Sequence, residues 1–274
     1  MANARLTLIM VCIAALMVML KGKDDTMSAQ VPEKTLDPGL PRDKRWRLIW
    51  ADEFEGTKLD ESKWSRAGPY RVFGGWIVPE AISLDGKGHL VIKTFEKDGK
   101  FCGGMVSTAK KFEHKYGFWV ARCKLPREEG HFPAFWIWSS ALIPGSPESK
   151  VGGPKCGTEI DVVEWWAVKP NRIHHTLHWI ERGGERKSLG HRAEIPGITE
   201  GFHTFGVEWT PEEYVFYVDG RETWRTSVAV SHIKQFACLS EHISEPSEWA
   251  GDIRKAKLPD FFMVDFVRVY ERLK

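Results

Sequence analysis

Residues 157–166 read GTEIDVVEWW, and this stretch indicates both a fold class and a chemistry. β-branched residues favour a strand, and a strand sends alternate side chains to the same face. Glu159 and Asp161 therefore share one face, and Ile160 points to the other. Carboxylates that lie side by side disfavour each other's ionisation, so their pKa values separate. Such a pair suits glycoside hydrolysis, in which one carboxylate is the nucleophile and another is the acid.

Glu164 does not fit a regular strand, because it lies five positions after Glu159 and strict alternation turns it to the opposite face. One extra residue at Val162 or Val163, a β-bulge, would bring it back. The alternative is that Glu164 is an ordinary solvent-facing residue. Five strand residues span roughly 16 Å, whereas the carboxyl groups of a retaining glycosidase lie about 5–5.5 Å apart. A bulge, sheet curvature and the long side chains must close that gap.

The rest of the chain predicts an all-β fold. Short runs of alternating polarity recur between turn signals, for example at residues 90–95, 117–125 and 263–270. Asp219-Gly220 between two such runs is typical of a tight hairpin. Helix-period segments and a βαβ rhythm are absent from the sequence, which indicates an antiparallel β-sandwich. A chain of 274 residues with 42% hydrophobic content can bury one sizeable core, so we expect a single domain over residues 46–274.

The N-terminus has the pattern of a secretory signal. Arg5 supplies positive charge, residues 6–20 are apolar and polar residues follow. We expect a signal peptide over residues 1–29, a linker over residues 30–45 and a secreted or periplasmic protein. Fifteen apolar residues fall short of the about 20 that a spanning helix needs, so no stable membrane insertion is expected after signal removal. An uncleaved N-terminal anchor is the alternative.

Composition excludes some partners and leaves the cysteines open. A formal net charge of +2 argues against nucleic-acid binding. Cys102, Cys123, Cys156 and Cys238 allow three disulfide pairings, and buried free thiols are the alternative. No Cys/His spacing resembles a zinc site. We expect a monomer.

The run from Glu159 to Glu164 resembles the bulged active-site motif of glycoside hydrolase family 16. The similarity covers about residues 46–271, since four further segments resemble the family: WADEF at 50–54, YGFWVAR at 116–122, PAFW at 133–136 and VDFVRVY at 264–270. The resemblance implies a concanavalin-like β-jelly roll with a concave substrate cleft. It also implies that Glu159 is the nucleophile, that Asp161 assists and that Glu164 is the acid/base.

The resemblance further implies sugar-binding residues. It places Trp136 in the cleft, together with a histidine at about position 178, which here is His178. Trp138 shares the strand parity of Trp136, and parity from Glu164 favours Trp166 in the cleft.

Other parts of the cleft match less closely. Trp76 lies in a stretch that the family uses for the cleft rim. Trp249 and Glu241 could face the sugar or belong to a plain rim loop. The chain also departs from the family at Phe132, where tryptophan is usual, and at Trp138, where an aliphatic residue is usual.

No cofactor enters this chemistry, but a structural calcium ion is possible. Some family members hold calcium with an acidic residue near the N-terminal strand and the aspartate of the closing strand. Glu53 and Asp265 match those positions, and carboxylate oxygens are suitable ligands.

The sequence thus predicts a secreted, endo-acting, retaining glycoside hydrolase whose partner is a polysaccharide, most simply a β-1,3- or mixed β-1,3/1,4-glucan. The alternatives are a hydrolase of β-linked galactans and a transglycosylase. A protein of another class, a non-catalytic lectin-like module, would use the tryptophans without needing the spaced carboxylates.

Overall fold

The computed structural model describes residues 39–41 and 45–273. The predicted signal peptide and most of the predicted linker lie outside the described residues. No helix in the described part of the chain combines the length and apolar character needed to cross a membrane.

The described residues form seventeen strands. They are β1 (Trp46–Asp52), β2 (Ser65–Arg66), β3 (Tyr70–Val72), β4 (Gly75–Ile77), β5 (Ile82–Leu84), β6 (Leu90–Lys97), β7 (Lys100–Ser107), β8 (Gly117–Lys124), β9 (His131–Trp138), β10 (Glu159–Trp165), β11 (Arg172–Ile180), β12 (Arg186–Glu194), β13 (His203–Trp209), β14 (Tyr214–Val218), β15 (Arg221–Thr226), β16 (Phe236–Ile243) and β17 (Asp260–Arg272). Helical structure is limited to α1 (Pro147–Val151) and 3₁₀ turns at Pro79–Ala81, Ser140–Leu142, Pro154–Cys156 and Ile253–Lys255.

Hydrogen bonds join the strands into two layers. The outer layer has the order β15-β14-β13-β8-β17, and β17 then pairs with both β1 and β6. The second layer, here called the cleft layer, has the order β12-β11-β10-β9-β16-β7-β2. The β6–β7 hairpin links the two layers into one continuous sheet. All pairings are antiparallel except β4 with β7, which confirms the predicted antiparallel sandwich of jelly-roll type.

The core lies between the layers. Trp119 and Phe205 from the outer layer meet Phe135 and Ile160 from the cleft layer, and all four are fully buried. Burial of each such side chain stabilises the fold by about 1.5–3 kcal/mol. Because alternate residues of the cleft layer point into this core, the intervening residues form its other face, where the predicted site lies.

The four cysteines of the described residues form no disulfide bonds, in agreement with the alternative of buried free thiols. Cys102, Cys123, Cys156 and Cys238 are all buried free thiols.

Candidate active site

The predicted β-bulge is present in β10. Asp161 pairs with Thr176 of β11 and Glu164 pairs with His174, so three steps along β10 match two along β11. The register with β9 shifts at the same place. Both side chains of Val162–Val163 are fully buried in the core, and Glu164 therefore returns to the face of Asp161.

The bulge also shortens the distance that the two glutamates must close. Glu159 pairs with His178 and Glu164 with His174, positions four apart on β11. Four strand residues span about 13 Å, compared with about 16 Å for the five of a regular strand. The side chains are close enough that the charge of Glu159 adds to the effect of burial in raising the pKa of Glu164.

The start of β10 is fixed by a glutamine from the loop before β16. Gln235 accepts from the Thr158 N–H at 3.1 Å and donates to the Thr158 carbonyl at 2.6 Å. Gly157 has a φ of +74°, and a Cβ there would lie 2.7 Å from the Gln235 amide oxygen. Glycine therefore permits the close approach that sets where the carboxylate strand begins.

Burial raises the pKa of all three carboxyl groups. It raises the pKa of Glu159 to about 6, against the charge of Arg186. It raises the pKa of Glu164 to about 7, although the Thr176 hydroxyl donates a 2.5 Å hydrogen bond to its Oε2 and opposes the shift. The pKa of Asp161 lies well above its usual range because of burial and then the charges of Glu164 and Glu159. At neutral pH the row can therefore hold and exchange protons.

Asp161 is the central group of this row. Its Oδ2 is buried without a hydrogen-bond partner among the described residues and lies 3.5 Å from His178 Nε2. Burial, with the charge of Arg186, lowers the pKa of His178, which favours a neutral ring. Ligand atoms of Glu159, Asp161 and His178 lie within 4.8 Å of one another. This set could hold a cation, but a carboxyl that stays protonated is a poor ligand.

Two of the predicted tryptophans line the Glu159 end of the cleft. The rings of Trp136 and Trp138 lie 5.6 Å apart, and Trp136 Nε1 donates to Ser240 Oγ at 3.1 Å. The Trp138 ring packs edge-on against Phe236. Its indole N–H lies close enough to lower the pKa of Glu159, although no hydrogen bond of normal geometry joins the two.

The other end of the cleft has an aromatic cluster around Trp166. The Trp166 ring lies 4.4 Å from His174, 4.9 Å from Phe132 and 4.8 Å from Trp249. Trp249 is 53% exposed, so its free surface is open to a ligand. The structure thus brings Trp166, Trp249 and the departure at Phe132 together beyond Glu164.

Trp76 does not lie with these residues. It pairs with Cys102 across β4 and β7 and packs against a small cluster that includes Val78. Lys100 Nζ lies 4.8 Å from the centre of its ring. The prediction of Trp76 as a cleft residue is therefore wrong, because the pairing of β4 turns it to the opposite face from the cleft.

Glu241 is also turned away from the cleft. It shares the parity of Leu239 on β16, which lies in the core, and its side chain is fully buried. Its Oε1 lies 3.0 Å from His131 Nδ1 and accepts from the Phe132 N–H at 3.2 Å. Glu241 is a structural residue behind the cleft and does not contact a ligand in it.

Several cleft residues were missed by the sequence reasoning. Ser240 and His242 follow the parity of Phe236 on β16, so alternation could have identified them. Phe73 could not be found in this way. It lies in the β3–β4 turn with a φ of +49°, and its ring contacts Phe132 at 5.7 Å and His242 at 5.4 Å. Only the folded hairpin brings it there.

The residues predicted to hold calcium are each paired with an arginine. Glu53 accepts two hydrogen bonds of 2.8 Å from Arg268, and Asp265 accepts one from Arg122. These guanidinium groups already neutralise both carboxylates, so the donor set does not fit an oxygen-ligated cation. The calcium site stays a prediction that the local contacts do not favour.

Comparison with known proteins identifies the family. The family profile "Glycosyl hydrolases family 16" matches residues 79–265. A glucan endo-1,3-beta-glucosidase A1 of Niallia circulans is 25% identical over 281 residues, which is 87% of this chain and 40% of that protein. A beta-glucanase of Rhodothermus marinus is 27% identical over 259 residues, which is 82% of this chain and 85% of that protein.

A solved structure extends the comparison to the fold. The endo-beta-1,3-glucanase of Pyrococcus furiosus has a TM-score of 0.68 and 26% identity, covering 84% of this chain and 96% of that one. The chain spans less than half the length of the Niallia circulans protein but most of the other two. On the extent of the matched profile, this chain belongs to family 16 of the glycosyl hydrolases.

Proposed function

We propose that this protein is an endo-acting, retaining glycoside hydrolase that cleaves internal β-linkages of a polysaccharide. One observation carries the proposal: the bulge brings Glu164 to the face of Glu159 and Asp161 in a buried row with raised pKa values. Buried like charges cost stability, and a row that retains them is typical of a reaction site.

In the first step Glu159 acts as the nucleophile. Its ionised carboxylate attacks the anomeric carbon while Glu164 donates its proton to the glycosidic oxygen. The bond between the anomeric carbon and that oxygen breaks, and a glycosyl ester of Glu159 forms. A pKa of about 6 leaves Glu159 largely ionised at pH 7, and a pKa of about 7 leaves Glu164 about half protonated.

In the second step Glu164 acts as a base instead of an acid. Glu164, now ionised, takes a proton from water, and the water oxygen attacks the anomeric carbon. The ester bond to Glu159 breaks, the product keeps its original anomeric configuration and both residues return to their starting states. Asp161, protonated between them, can donate a hydrogen bond to Glu159 and stabilise its charge as the ester leaves.

The substrate that we propose is a β-1,3- or mixed β-1,3/1,4-glucan. The relatives from Niallia circulans, Rhodothermus marinus and Pyrococcus furiosus are named as β-glucanases or endo-1,3-β-glucosidases, which supports a β-glucan. Aromatic residues on both sides of the carboxylate row, around Trp136 and around Trp166, support binding of a chain that continues in both directions. A β-galactan has less support. Transglycosylation would use the same ester with a sugar hydroxyl in place of water.

Export from the cell, proposed from residues 1–29, is consistent with a polymeric substrate. We propose that the mature protein acts as a monomer, since a single cleft contains all the residues that the two steps use.

The test is reducing-sugar release from laminarin, lichenan, agarose and galactan by the wild type and Glu159→Gln. Release by the wild type with loss of at least about 10⁴-fold in the variant supports the nucleophile role. Early-product NMR should show retained configuration. Binding without hydrolysis of any of the four polymers would instead support the lectin-like alternative.

A further inference from the structure

The edge of the cleft beyond β11 is formed by β12. Alternation places five of its residues on the cleft face: Arg186, Ser188, Gly190, Arg192 and Glu194. Glu194, at the end of the row, forms an ion pair with Arg172 of β11. Gly190 lies opposite Thr176, the residue that donates to Glu164. The part of this row from Arg186 to Arg192, here called the β12 strip, runs parallel to the carboxylate row of β10 and is separated from it by β11.

The middle of the β12 strip has only small residues. A Cβ at Gly190 would lie 3.5 Å from the His175 carbonyl oxygen, an ordinary contact, so packing does not require glycine there. Glycine weakens the interior of a strand and often marks a place where a ligand approaches the backbone. With Ser188 beside it, Gly190 leaves an open shelf one strand away from the carboxylate row.

An arginine lies at each end of the β12 strip. Lys187, on the opposite face of the strand, is paired with Glu185. Within residues 39–41 and 45–273, no ion pair joins Arg186 or Arg192 to a carboxylate, and both side chains are exposed. An exposed, unpaired guanidinium can bind a sulfate or carboxylate group through two parallel hydrogen bonds.

The charges of both arginines reach the cleft. Burial raises the pKa of Glu159, and the charge of Arg186 opposes this shift. Burial lowers the pKa of His178, and the charge of Arg186 lowers it further.

Arg192 adds to burial in lowering the pKa of His174, with Arg172 acting in the same direction and Glu194 in the opposite one. Because Glu194 is paired with Arg172, the guanidinium groups of Arg186 and Arg192 supply the positive charge at the two ends of the shelf.

We propose that the β12 strip binds anionic substituents of the sugar chain, either sulfate esters or carboxylates, so that the preferred substrate is an anionic β-glycan. The inference rests on the proposed function for the reaction itself. Six strand residues separate the two arginines, about 20 Å, so each contacts a different sugar residue on either side of the bond that is cleaved.

Matched polymers test this preference. We would measure kcat/KM on laminarin and on lightly sulfated and lightly carboxylated laminarin of the same length. The enzymes are the wild type, Arg192→Gln, the double variant Arg186→Gln/Arg192→Gln and the control Lys187→Gln, which removes one charge from the opposite face of β12. Comparing the anionic-to-neutral ratio within each enzyme cancels the change in the pKa of Glu159 that loss of Arg186 brings.

The wild type should prefer one anionic polymer by on the order of 5-fold at low ionic strength, because exposed ion pairs are weak but measurable. The preference should fall toward 1 at high salt and in the double variant, and Lys187→Gln should keep it. The polymer that is preferred identifies the anionic group. Equal rates on all three polymers, or an equal loss in Lys187→Gln, would overturn the proposal.

A binding measurement separates this proposal from the proposed function. Affinity electrophoresis of Glu159→Gln in gels containing each laminarin needs no hydrolysis. Stronger retardation by an anionic polymer that is lost with both arginines supports the β12 strip even if the wild type cleaves none of the polymers. Equal retardation by neutral and anionic polymers contradicts it.

Discussion

Two buried carboxylate sites in the cleft layer differ in the sign of the charge beside them. Glu241 on β16 faces His131, whose pKa is raised because the carboxylates around it outweigh the effect of burial. On β10, Asp161 faces the carboxylates of Glu159 and Glu164. Each site has one buried carboxylate oxygen without a hydrogen-bond partner among the described residues, so counting hydrogen bonds does not distinguish them. The neighbouring charge does.

The difference separates a structural role from a functional one. The pair between His131 and Glu241 joins β9 to β16 behind the cleft, and removing His131 leaves the charge of Glu241 buried without a cation. The β10 row faces the cleft, and the charge of Arg186 only partly offsets the effect of burial on Glu159, so two carboxyl groups keep pKa values near neutral. The first site joins two strands of the sheet, and the second has the raised pKa values that the proposed proton transfer needs.

The largest expected effect is the loss of activity in Glu164→Gln, which tests the role given to the β10 row. We expect a loss of about 10²–10⁴-fold in kcat on a polysaccharide, because the leaving oxygen then receives no proton. An aryl glycoside with an acidic phenol needs no such proton and should be affected much less. Initial rates on both substrates measure the difference. Equal losses on the two substrates would contradict the acid role.

The second prediction concerns the structural site. His131→Ala should lower the free energy of unfolding by about 3–5 kcal/mol, since it leaves Glu241 buried without a cation. Urea denaturation at pH 7 measures this, and the double variant His131→Leu/Glu241→Leu should recover much of the loss. A cost below about 1 kcal/mol for the single variant would break the distinction between the two sites.

A third prediction concerns the pH dependence of kcat/KM. Activity needs Glu159 ionised and Glu164 protonated, so it should rise through about pH 6, fall through about pH 7 and be greatest between them. Because the groups interact, the two limbs report apparent values of the pair. The alkaline limb should be missing from the residual activity of Glu164→Gln, and its persistence would assign that limb to another group.

The smallest expected effect is on stability. The folded pKa of Glu164, about 7, lies above its ordinary value of 4.5, so the folded state binds more protons between these values. The contribution of Glu164 to stability is therefore complete below about pH 4.5 and is lost as the pH rises through about 7. We expect Glu164→Gln to melt roughly 2–4 °C above the wild type at pH 8 and close to it at pH 4.5. Thermal-unfolding scans of both proteins at pH 8 and at pH 4.5 measure this difference in melting temperature.

Local rules predicted only part of the carboxylate row. Strand alternation assigns Glu159 and Asp161 to one face, whereas the inserted residue that returns Glu164 to that face was indicated by the family resemblance. The face of Glu241 also follows from alternation once Leu239 is known to be in the core. That knowledge comes from the packing of the two layers and not from the residues near Glu241.

The walls of the cleft were less predictable because distant strands form them. Trp76 turns away because β4 pairs in parallel with β7, a pairing that no local pattern indicates. Phe73 reaches Phe132 only because the Gly74 N–H donates to the Ile243 carbonyl at 2.8 Å and holds the β3–β4 turn against β16. Sequence-based reasoning thus located the carboxylate row better than the walls of the cleft.

The four free cysteines provide an internal measure of how the molecule opens. Cys123 lies in the main core, Cys102 and Cys156 lie in two smaller clusters and Cys238 lies on β16 beside Trp136. All are buried, so a thiol reagent reaches each one only when its surroundings open. The order in which the four react would rank the local unfolding free energies of these regions without any introduced label.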